Sequence, residues 1–395
     1  MGLLSEYTNK HLDAKQLENE LRILIQKYNQ LRDTYLLVYA SAINKSYVPD
    51  IAISQDDYFI IHDLLKNTRD VTKVDIYLET PGGSGEATEE IVEFLRSHFS
   101  HVSFIVSGEA KSAGTIMVLS GDEILMTETG SLGPIDAQMK IGRSIMSAYD
   151  YIEWVTEKQQ EASDKGALNP FDAVMVAQIS PGELKLVFHN LKFAEDLVVK
   201  WLKKYKFKNW NRTKTRGIEV TDKMKEERAK EIVRELINHA KWRSHGRSIK
   251  INDLEDLKLE ITKIDENPNL KDLVYRIQTI CRLLFNTTSI YKIFATSDGK
   301  IFRHAITQNN NSMKIPTSPN FTDAVKINIK CNNCGKIYSL YVKLAQNHKL
   351  EEDLKREGLL PFPSNNKLKC NCGFEIDLSG LRNEIEITTG KKVIN

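Results

Sequence analysis

The alternation of short apolar runs with helical segments in the first third of the chain is the sequence feature that most constrains the fold. KVDIYLET (73–80) predicts a strand that ends in a glycine-rich turn, and an amphipathic helix is predicted over 85–99. HVSFIVSG (101–108) predicts the next strand, KSAGTIMVLSG (111–121) a helix of small residues, and DEILMTE (122–128) a further strand. Because strands alternate with helices, we predict an α/β fold in which parallel strands are joined by helical crossovers.

Length and composition set the class of protein. The 395 residues are enough for two or three domains, and 41% hydrophobic with 27% charged residues is typical of a globular rather than a disordered chain. The formal net charge of +2 excludes an overall polycation or polyanion. No run approaches roughly 18 apolar residues, and the N-terminus lacks the order of a secretion signal. We therefore expect a cytoplasmic protein.

Three parts of the chain are predicted. Residues 1–34 hold an N-terminal helix with apolar residues at helical spacing, and residues 35–308 hold the α/β domain with helical additions. Residues 309–395 begin with an Asn- and Pro-containing linker and carry four of the five cysteines.

Two glycine-containing segments follow successive strands. One contains Gly82 and Gly83, and the other contains Ser112 followed by Ala113 and Gly114. Sites in open α/β sheets form beyond the carboxyl ends of strands. A serine at the start of a helix leaves its hydroxyl unobstructed, and backbone N–H groups of the two loops could stabilise an oxyanion. Taken singly, each segment is also compatible with an ordinary tight turn or with close helix packing.

The order strand–PGG–helix–strand–xSAG–helix–strand resembles the Clp protease/crotonase superfamily. More closely, it resembles the serine dehydrogenase proteinase family, a relative of signal peptide peptidase A. The resemblance covers about two-thirds of the chain, roughly residues 35–300, and excludes the cysteine-bearing end. The segments that carry it are LETPGGSGEATEEIVEFLR (78–96), GEAKSAGTIMVLSGDEILM (108–126), TGSLGPIDAQ (129–138), ISPGELKLVFHNLKFAEDLVVKWLKKY (179–205) and KWRSHGRSI (241–249).

The resemblance implies a serine endopeptidase that works through an acyl-enzyme. By its motifs Ser112 is the nucleophile, Gly83 and Ala113 supply oxyanion N–H groups, and Gly82 shapes the turn. It also implies a polypeptide substrate bound partly as an added strand, and assembly into homo-oligomers. The sequence holds no P-loop, so ATP-driven unfolding would need a separate ATPase or regulatory partner.

The general base remains open between a histidine and a lysine. Clp subunits place a histidine followed by an acid about 25 residues after the serine, but that position holds Ala137 here, beside Asp136, and no histidine lies between 102 and 188. His245 in the SHGR segment is the favoured candidate, with Asp136 to orient it. The alternative is that the His-Gly pair only ends a helix.

Signal peptide peptidases of this superfamily use a lysine, and a desolvated lysine can act as a base. Lys158 and Lys165 are the next candidates, with Lys140 as a third. Lysines on amphipathic helices are usually solvated, and if no base is correctly placed, Ser112 belongs to an inactive or partner-activated protease.

The four C-terminal cysteines form two knuckles, Cys331-x-x-Cys334-Gly and Cys370-x-Cys372-Gly. Each knuckle precedes strand-like residues, and four thiolates suit a closed tetrahedral zinc site of the ribbon kind. We predict structural zinc, although the second pair has one intervening residue rather than two. The ribbon would offer a surface for protein or nucleic acid. Cys281 lies in an apolar helical pattern and is predicted to be core.

Residues 200–216 contain eight basic and no acidic residues, interleaved with aromatic ones. That composition is found on nucleic-acid-binding surfaces. It is also found at a solvated helix end, and this second interpretation is favoured.

Three function classes follow. The leading hypothesis is a serine protease. The alternatives are a non-proteolytic crotonase-like enzyme that binds an acyl thioester, and a zinc-ribbon binding module on a catalytically silent scaffold.

Overall fold

A computed structural model describes residues 2–45, 48–68, 70–141, 144–213, 215–305, 323–331, 334–389 and 391–394. These residues fall into two compact units, 1–305 and 306–395, and each unit is described by itself. The predicted linker at 309–322 lies outside the described residues. Among the described helices, none is both long and apolar enough to cross a membrane.

The strands of the first unit alternate with helices, as predicted. They are β1 (Tyr35–Ser41), β2 (Lys73–Glu79), β3 (His101–Val106), β4 (Glu109–Ala110), β5 (Glu123–Met126), β6 (Ser131–Leu132), β7 (Gln138–Ile141), β8 (Ser144–Ser147), β9 (Thr262–Lys263), β10 (Ile290–Ala295) and β11 (Lys300–His304). Within the described part of the chain, seven of them form one sheet in the order β11-β10-β1-β2-β3-β5-β9. Strands β1, β2, β3, β5 and β9 run parallel, and the β10–β11 hairpin adds an antiparallel edge. The α/β prediction is confirmed.

The helices of the first unit cover both faces of this sheet. They are α1 (Leu3–Asn9), α2 (Ala14–Arg32), α3 (Gln55–Leu65), α4 (Gly85–His98), α5 (Ala113–Val118), α6 (Ala148–Lys165), α7 (Pro170–Val176), α8 (Pro181–Trp201), α9 (Asp222–Ile237), α10 (His239–Trp242), α11 (Ile251–Asp256) and α12 (Pro268–Thr287). A π-helical turn, Leu202–Lys206, continues α8. The predicted N-terminal helix is α2, whose apolar stripe packs with α12 against the sheet.

Strand periodicity explains why the sheet has two covered faces. On β1, Leu37 and Tyr39 point into the core shared with α3, α4, α5 and α8, whereas Leu36 and Val38 point into the core shared with α2 and α12. Successive side chains of a strand face opposite sides of a sheet, so a strand buried on both faces is apolar throughout. The uninterrupted YLLVYA run is therefore the expected sequence of a central strand.

A buried ion pair fixes the segment that precedes α3. Lys292 Nζ lies 2.6 Å from Asp57 Oδ2 and donates to the carbonyl of Ala52 at 2.7 Å, and both charged side chains are fully buried. The Tyr39 hydroxyl and the Ser54 N–H also donate to Asp57. Desolvation lowers the pKa of Lys292, and the Asp57 carboxylate opposes that shift. The pair holds the chain on both sides of residue 53, which contacts the glycine turn described below.

Among its described residues, the second unit contains two hairpins, a further short strand and two helices. Its elements are β12 (Ala324–Lys330), β13 (Ile337–Lys343), α13 (His348–Arg356), β14 (Leu360–Pro361), β15 (Lys367–Lys369), β16 (Glu375–Asp377) and α14 (Ser379–Thr389). Strands β12 and β13 pair antiparallel, as do β15 and β16. The strands predicted after each cysteine knuckle are confirmed as β13 and β16. A small apolar core of its own includes Ile327, Leu340 and Ile385.

Lys292→Met tests the buried pair. The substitution leaves the Asp57 carboxylate buried without its cation, so we expect the free energy of unfolding of the first unit to fall by about 3–5 kcal/mol. Urea denaturation measures the change. Asp57→Asn in the same chain should recover part of the loss, because it removes the uncompensated charge. A loss below about 1 kcal/mol for the single variant would contradict the assignment.

Candidate active site at the carboxyl edge of the sheet

Ser112 lies in the tight connection between β4 and α5, immediately before the first helical residue. Its φ and ψ angles are 49° and −117°, in a region that residues other than glycine rarely occupy. Such conformations persist only where the surrounding structure enforces them, and they are concentrated at functional sites. Ser112 is half-buried. Within the described part of the chain, its hydroxyl has no hydrogen-bond partner, so the serine is presented at the helix start rather than used as a cap.

The glycine turn after β2 packs directly against this serine. A Cβ placed on Gly82 would lie 2.8 Å from Ser112 Cβ and 2.9 Å from the Lys111 carbonyl oxygen, closer than side chains approach. Gly82 also has a φ of 105°. Only glycine combines this backbone conformation with so close an approach. The two loops therefore meet at the position predicted for the nucleophile.

Gly83 is held by the chain that leads into α3. Ile53 donates its N–H to the Gly82 carbonyl at 2.7 Å, and Ser84 donates to the Ile53 carbonyl at 3.0 Å. A Cβ on Gly83 would lie 2.4 Å from the Ile53 backbone. Among the described residues, the N–H groups of Gly83 and Ala113 donate no hydrogen bond, although both lie beside Ser112 or Gly82. Two unused donors beside a serine have the composition of an oxyanion hole.

His245 lies beside Asp136, although 109 positions separate them in the sequence. Its Nδ1 is 2.8 Å from Asp136 Oδ1, and the Gln138 amide donates to the other carboxylate oxygen at 2.8 Å. Asp136 is fully buried, whereas 28% of the His245 side chain is exposed. The pair is the orienting arrangement expected of a histidine base and its acid, with Nε2 left to exchange a proton.

Backbone hydrogen bonds place the segment that contains His245 next to the loop that contains Ser112. Strand β4, which precedes Ser112, pairs in parallel with β6, and Leu132 of β6 exchanges two hydrogen bonds of 3.0 Å with Ile249. Asp136 follows β6, and His245 precedes Ile249. The three segments that carry Ser112, Asp136 and His245 thus lie side by side.

The alternative lysines are engaged in ion pairs on α6. Lys158 Nζ lies 2.8 Å from Asp172 and 3.0 Å from Glu161, and hydrogen bonds to these two carboxylates raise the pKa of Lys158. Lys165 pairs with Glu161 at 3.0 Å and is largely exposed. A lysine base needs a lowered pKa, so this environment favours His245 over both lysines. The side chain of Lys140 lies outside the described residues.

Lys111 and Gly133 are two further residues of this site that the sequence did not indicate. Lys111 is buried immediately before Ser112, and burial lowers the pKa of its ammonium group. A Cβ on Gly133 would lie 2.9 Å from Lys111 Cδ, so the glycine makes room for the lysine stem. The sequence features that could have indicated this contact are the lysine directly before Ser112 and the glycine of the SLGP segment.

The four cysteine sulfurs of the second unit converge, with all four within 4.8 Å of one another. Cys331 Sγ lies 3.7 Å from Cys372 Sγ, and Cys334 Sγ lies 3.5 Å from Cys370 Sγ. Tetrahedral Zn–S bonds of about 2.3 Å would separate sulfurs by about 3.8 Å, so the donor set and its spacing fit a tetrathiolate metal site.

The surroundings of Cys370 favour a thiolate. Hydrogen bonds from the Cys372 N–H and the Tyr338 hydroxyl lower the pKa of Cys370 to about 6. The remaining cysteine, Cys281, is fully buried in the core beside α2, where burial raises the pKa of its thiol, in agreement with the prediction of a core residue.

The basic stretch 200–216 is largely engaged within the first unit. Lys203 pairs with Glu226 at 3.1 Å, Lys208 pairs with Asp122, and burial lowers the pKa of Lys206. Trp201 is buried in the core. These contacts support the interpretation as a helix end rather than a nucleic-acid surface.

Comparisons with known proteins point to a family of serine proteinases. The model of the ClpP-like SDH-type serine proteinase family matches residues 51–177. Two uncharacterized proteins of Methanocaldococcus jannaschii are 27% and 23% identical over 208 and 207 residues, which is 52% of this chain and 55% and 58% of theirs. The chain thus spans little more than half the length of these curated relatives.

Solved structures include two variants of the 1510-N membrane-bound stomatin-specific protease, one in complex with a substrate peptide. Each is 22% identical with a TM-score of 0.23, and they cover 30% and 28% of this chain and 61% and 57% of theirs. The family match is the informative comparison, because its range includes both loops of the site. The resemblance to the ClpP-like SDH-type serine proteinases is therefore confirmed over residues 51–177, the segment that carries Gly82, Gly83 and Ser112.

Proposed function

We propose that the protein is a serine endopeptidase that hydrolyses peptide bonds through an acyl-enzyme on Ser112. The observation that carries the proposal is the serine turn itself. Ser112 is held at a φ of 49° against Gly82, and the N–H groups of the adjoining Gly83 and Ala113 have no acceptor among the described residues. The family match over 51–177 supports the same reaction class.

The proposed reaction has two stages, formation of an acyl-enzyme and its hydrolysis. Ser112 Oγ attacks the scissile carbonyl carbon while its proton moves to His245 Nε2, and the carbonyl oxygen becomes an anion that accepts hydrogen bonds from Gly83 and Ala113 N–H. The C–N bond then breaks as His245 returns the proton to the leaving amine. Water attacks the acyl-enzyme by the same route in reverse, which releases the acid and restores the serine.

Asp136 would act by orienting His245. A buried carboxylate that accepts from Nδ1 fixes which ring nitrogen carries the proton and stabilises the imidazolium formed during the reaction. Gln138 holds the second carboxylate oxygen, so the acid itself is fixed. In this assignment Lys158 and Lys165 are structural.

The substrate proposed is an extended polypeptide, because the family model that matches residues 51–177 is that of a proteinase, whose substrate is a polypeptide chain. We also propose homo-oligomer assembly. Large apolar side chains are exposed on α7 and α8, among them Phe171, Val174 and Phe188. Exposed apolar surface of this kind marks interaction sites. A separate ATPase or regulatory partner stays a proposal that rests on the family resemblance alone.

Ser112→Ala should abolish labelling by a fluorophosphonate probe and hydrolysis of an unstructured protein such as casein. Peptidase activity is expected to fall by at least about 1,000-fold, because the nucleophile is lost. His245→Ala should lower peptidase activity by a comparable factor. The double variant Ser112→Ala/His245→Ala should be no less active than either single variant, since the two residues act as one unit.

Lys165→Ala is the control for the base, and its activity should match the unsubstituted protein. Full activity of His245→Ala together with loss in Lys158→Ala would reverse the assignment of the base. Absence of Ser112 labelling, combined with thermal stabilisation by an acyl-CoA, would favour the crotonase-like thioester enzyme instead of the protease.

For the second unit we propose a structural zinc ion held by Cys331, Cys334, Cys370 and Cys372. The four sulfurs already lie at spacings suited to one tetrahedral ion. A unit of this size has a small apolar core, so metal binding would supply much of its folding free energy. Reduced thiolates at this site agree with the expected cytoplasmic location. The surface around the ion would be free to contact a protein partner.

Metal analysis should find one zinc per chain, and Cys370→Ser should lower that content. Chelation should melt the second unit, with loss of amide-exchange protection in β12 and β13, while Ser112 labelling in the first unit persists. Cys281→Ser serves as the matched control and should leave zinc content unchanged. Full exchange protection after zinc removal would contradict a structural role for the metal.

A further inference from the structure

The buried lysine beside the nucleophile contacts every segment that carries the proposed catalytic residues. Lys111 directly precedes Ser112, and its Nζ donates to the Leu132 carbonyl at 3.0 Å, to the Ser248 hydroxyl at 3.0 Å and to the Arg247 carbonyl at 3.3 Å. Leu132 lies on the stretch that leads to Asp136, and the other two acceptors follow His245. One side chain thus joins three segments that are far apart in sequence.

All hydrogen-bonding positions of this ammonium group are occupied. A lysine ammonium has three N–H donors, and the three acceptors match them in number. No position is left for Lys111 to exchange a proton with Ser112, so the residue is not a general base. Its role must lie in what it holds in place.

The surroundings are built to accommodate the lysine. Its side chain is only 7% exposed, and Gly133 leaves the space that its stem fills, since a Cβ there would approach Cδ to 2.9 Å. A buried ammonium is costly unless its donors are satisfied, so the three acceptors and the lysine fix one another. The adjacent backbone bridge between Leu132 and Ile249 closes the same junction.

We propose that Lys111 is a positioning residue that sets the distance and direction of the His245–Asp136 pair relative to Ser112. This inference rests on the proposed function. Without the lysine, the segments of Asp136 and His245 keep the Leu132–Ile249 bridge to each other and the β4–β6 pairing, but they lose the hydrogen bonds that Lys111 donates to both of them. The expected consequence is a misplaced base rather than a missing one.

Lys111→Met removes the donors and keeps a stem of similar length. We expect kcat for peptide hydrolysis to fall by about 100-fold with KM nearly unchanged, because a displacement of about 1 Å in catalytic geometry has that effect. The rate of Ser112 labelling by a fluorophosphonate should fall in parallel. Ser248→Ala, which removes one of the three acceptors, should give a smaller loss with an intact fold.

Lys250→Met is the matched control. Lys250 Nζ also donates to loop carbonyls, those of Thr129 and Gly130 at 3.0 Å each, but it holds the loop before β6 and not the junction with the serine. Its kcat should stay close to that of the unsubstituted protein, even if both lysine variants lower the melting temperature equally. Equal loss of kcat in the two variants would overturn the proposal, since it would show a general effect of stability.

A second readout does not depend on activity. The His245 ring proton shared with Asp136 should give a downfield NMR resonance, identified by its absence in His245→Gln. We expect that resonance to be lost or broadened in Lys111→Met and retained in Lys250→Met. If Lys111→Met does not fold, Ser248→Ala carries the test, and an unchanged resonance with unchanged kcat overturns the proposal.

The outcomes separate the two claims. If the unsubstituted protein neither labels at Ser112 nor cleaves peptides, but the resonance depends on Lys111, the proposed function fails and the positioning role stands. If the protein is an active serine peptidase and both Lys111→Met and Ser248→Ala retain kcat and the resonance, the proposed function stands and the positioning role fails.

Discussion

The close approach of the Gly82 backbone to Ser112 is the contact on which the rest of the site depends. Strands β2 and β3 are neighbours and parallel, so the turns that follow them emerge at the same edge of the sheet. The turns then pack so tightly that a single added carbon at Gly82 would lie 2.8 Å from the serine side chain. This packing holds Ser112 in a conformation that an isolated chain would avoid. It also leaves the N–H groups of Gly83 and Ala113 without a hydrogen-bond acceptor among the described residues.

The buried charges of Asp57, Lys111 and Asp136 are each held by several partners. Asp57 accepts from Lys292, Tyr39 and Ser54, and this cluster fixes Ile53, which in turn pairs with Gly83. Lys111 and Asp136 are satisfied in the same manner on the other side of the serine. Because desolvated charges are stable only in complete networks, each network permits few arrangements of the chain. The buried polar networks therefore determine how the segments around the site are arranged more than they add to the net free energy of unfolding.

The two units are stabilised by different physical means. The first has apolar cores on both faces of a mostly parallel sheet, which is the usual way for a long chain to bury strands completely. The second has a small core and a cysteine cluster at the turns of two hairpins. The first unit is thus held by apolar packing on both faces of its sheet, whereas the second brings together four cysteines that could hold a metal ion.

The sequence by itself determined the features that depend on neighbouring residues. Strand periodicity, the glycine turn and the serine before a small-residue helix are local, so the α/β alternation and the position of Ser112 could be predicted. The cysteine spacing likewise predicted the cluster. The base could only be named as one candidate among several, with Asp136 predicted to orient His245, because Asp136 and His245 are 109 positions apart. Chain closure costs little more free energy for long loops than for short ones, so sequence separation does not reveal which segments meet.

Only the tertiary structure decided that Lys158 is held in ion pairs and that Lys111 joins three segments. The contacts of Lys111 depend on the registers of β4 with β6 and of Leu132 with Ile249, which no single segment encodes.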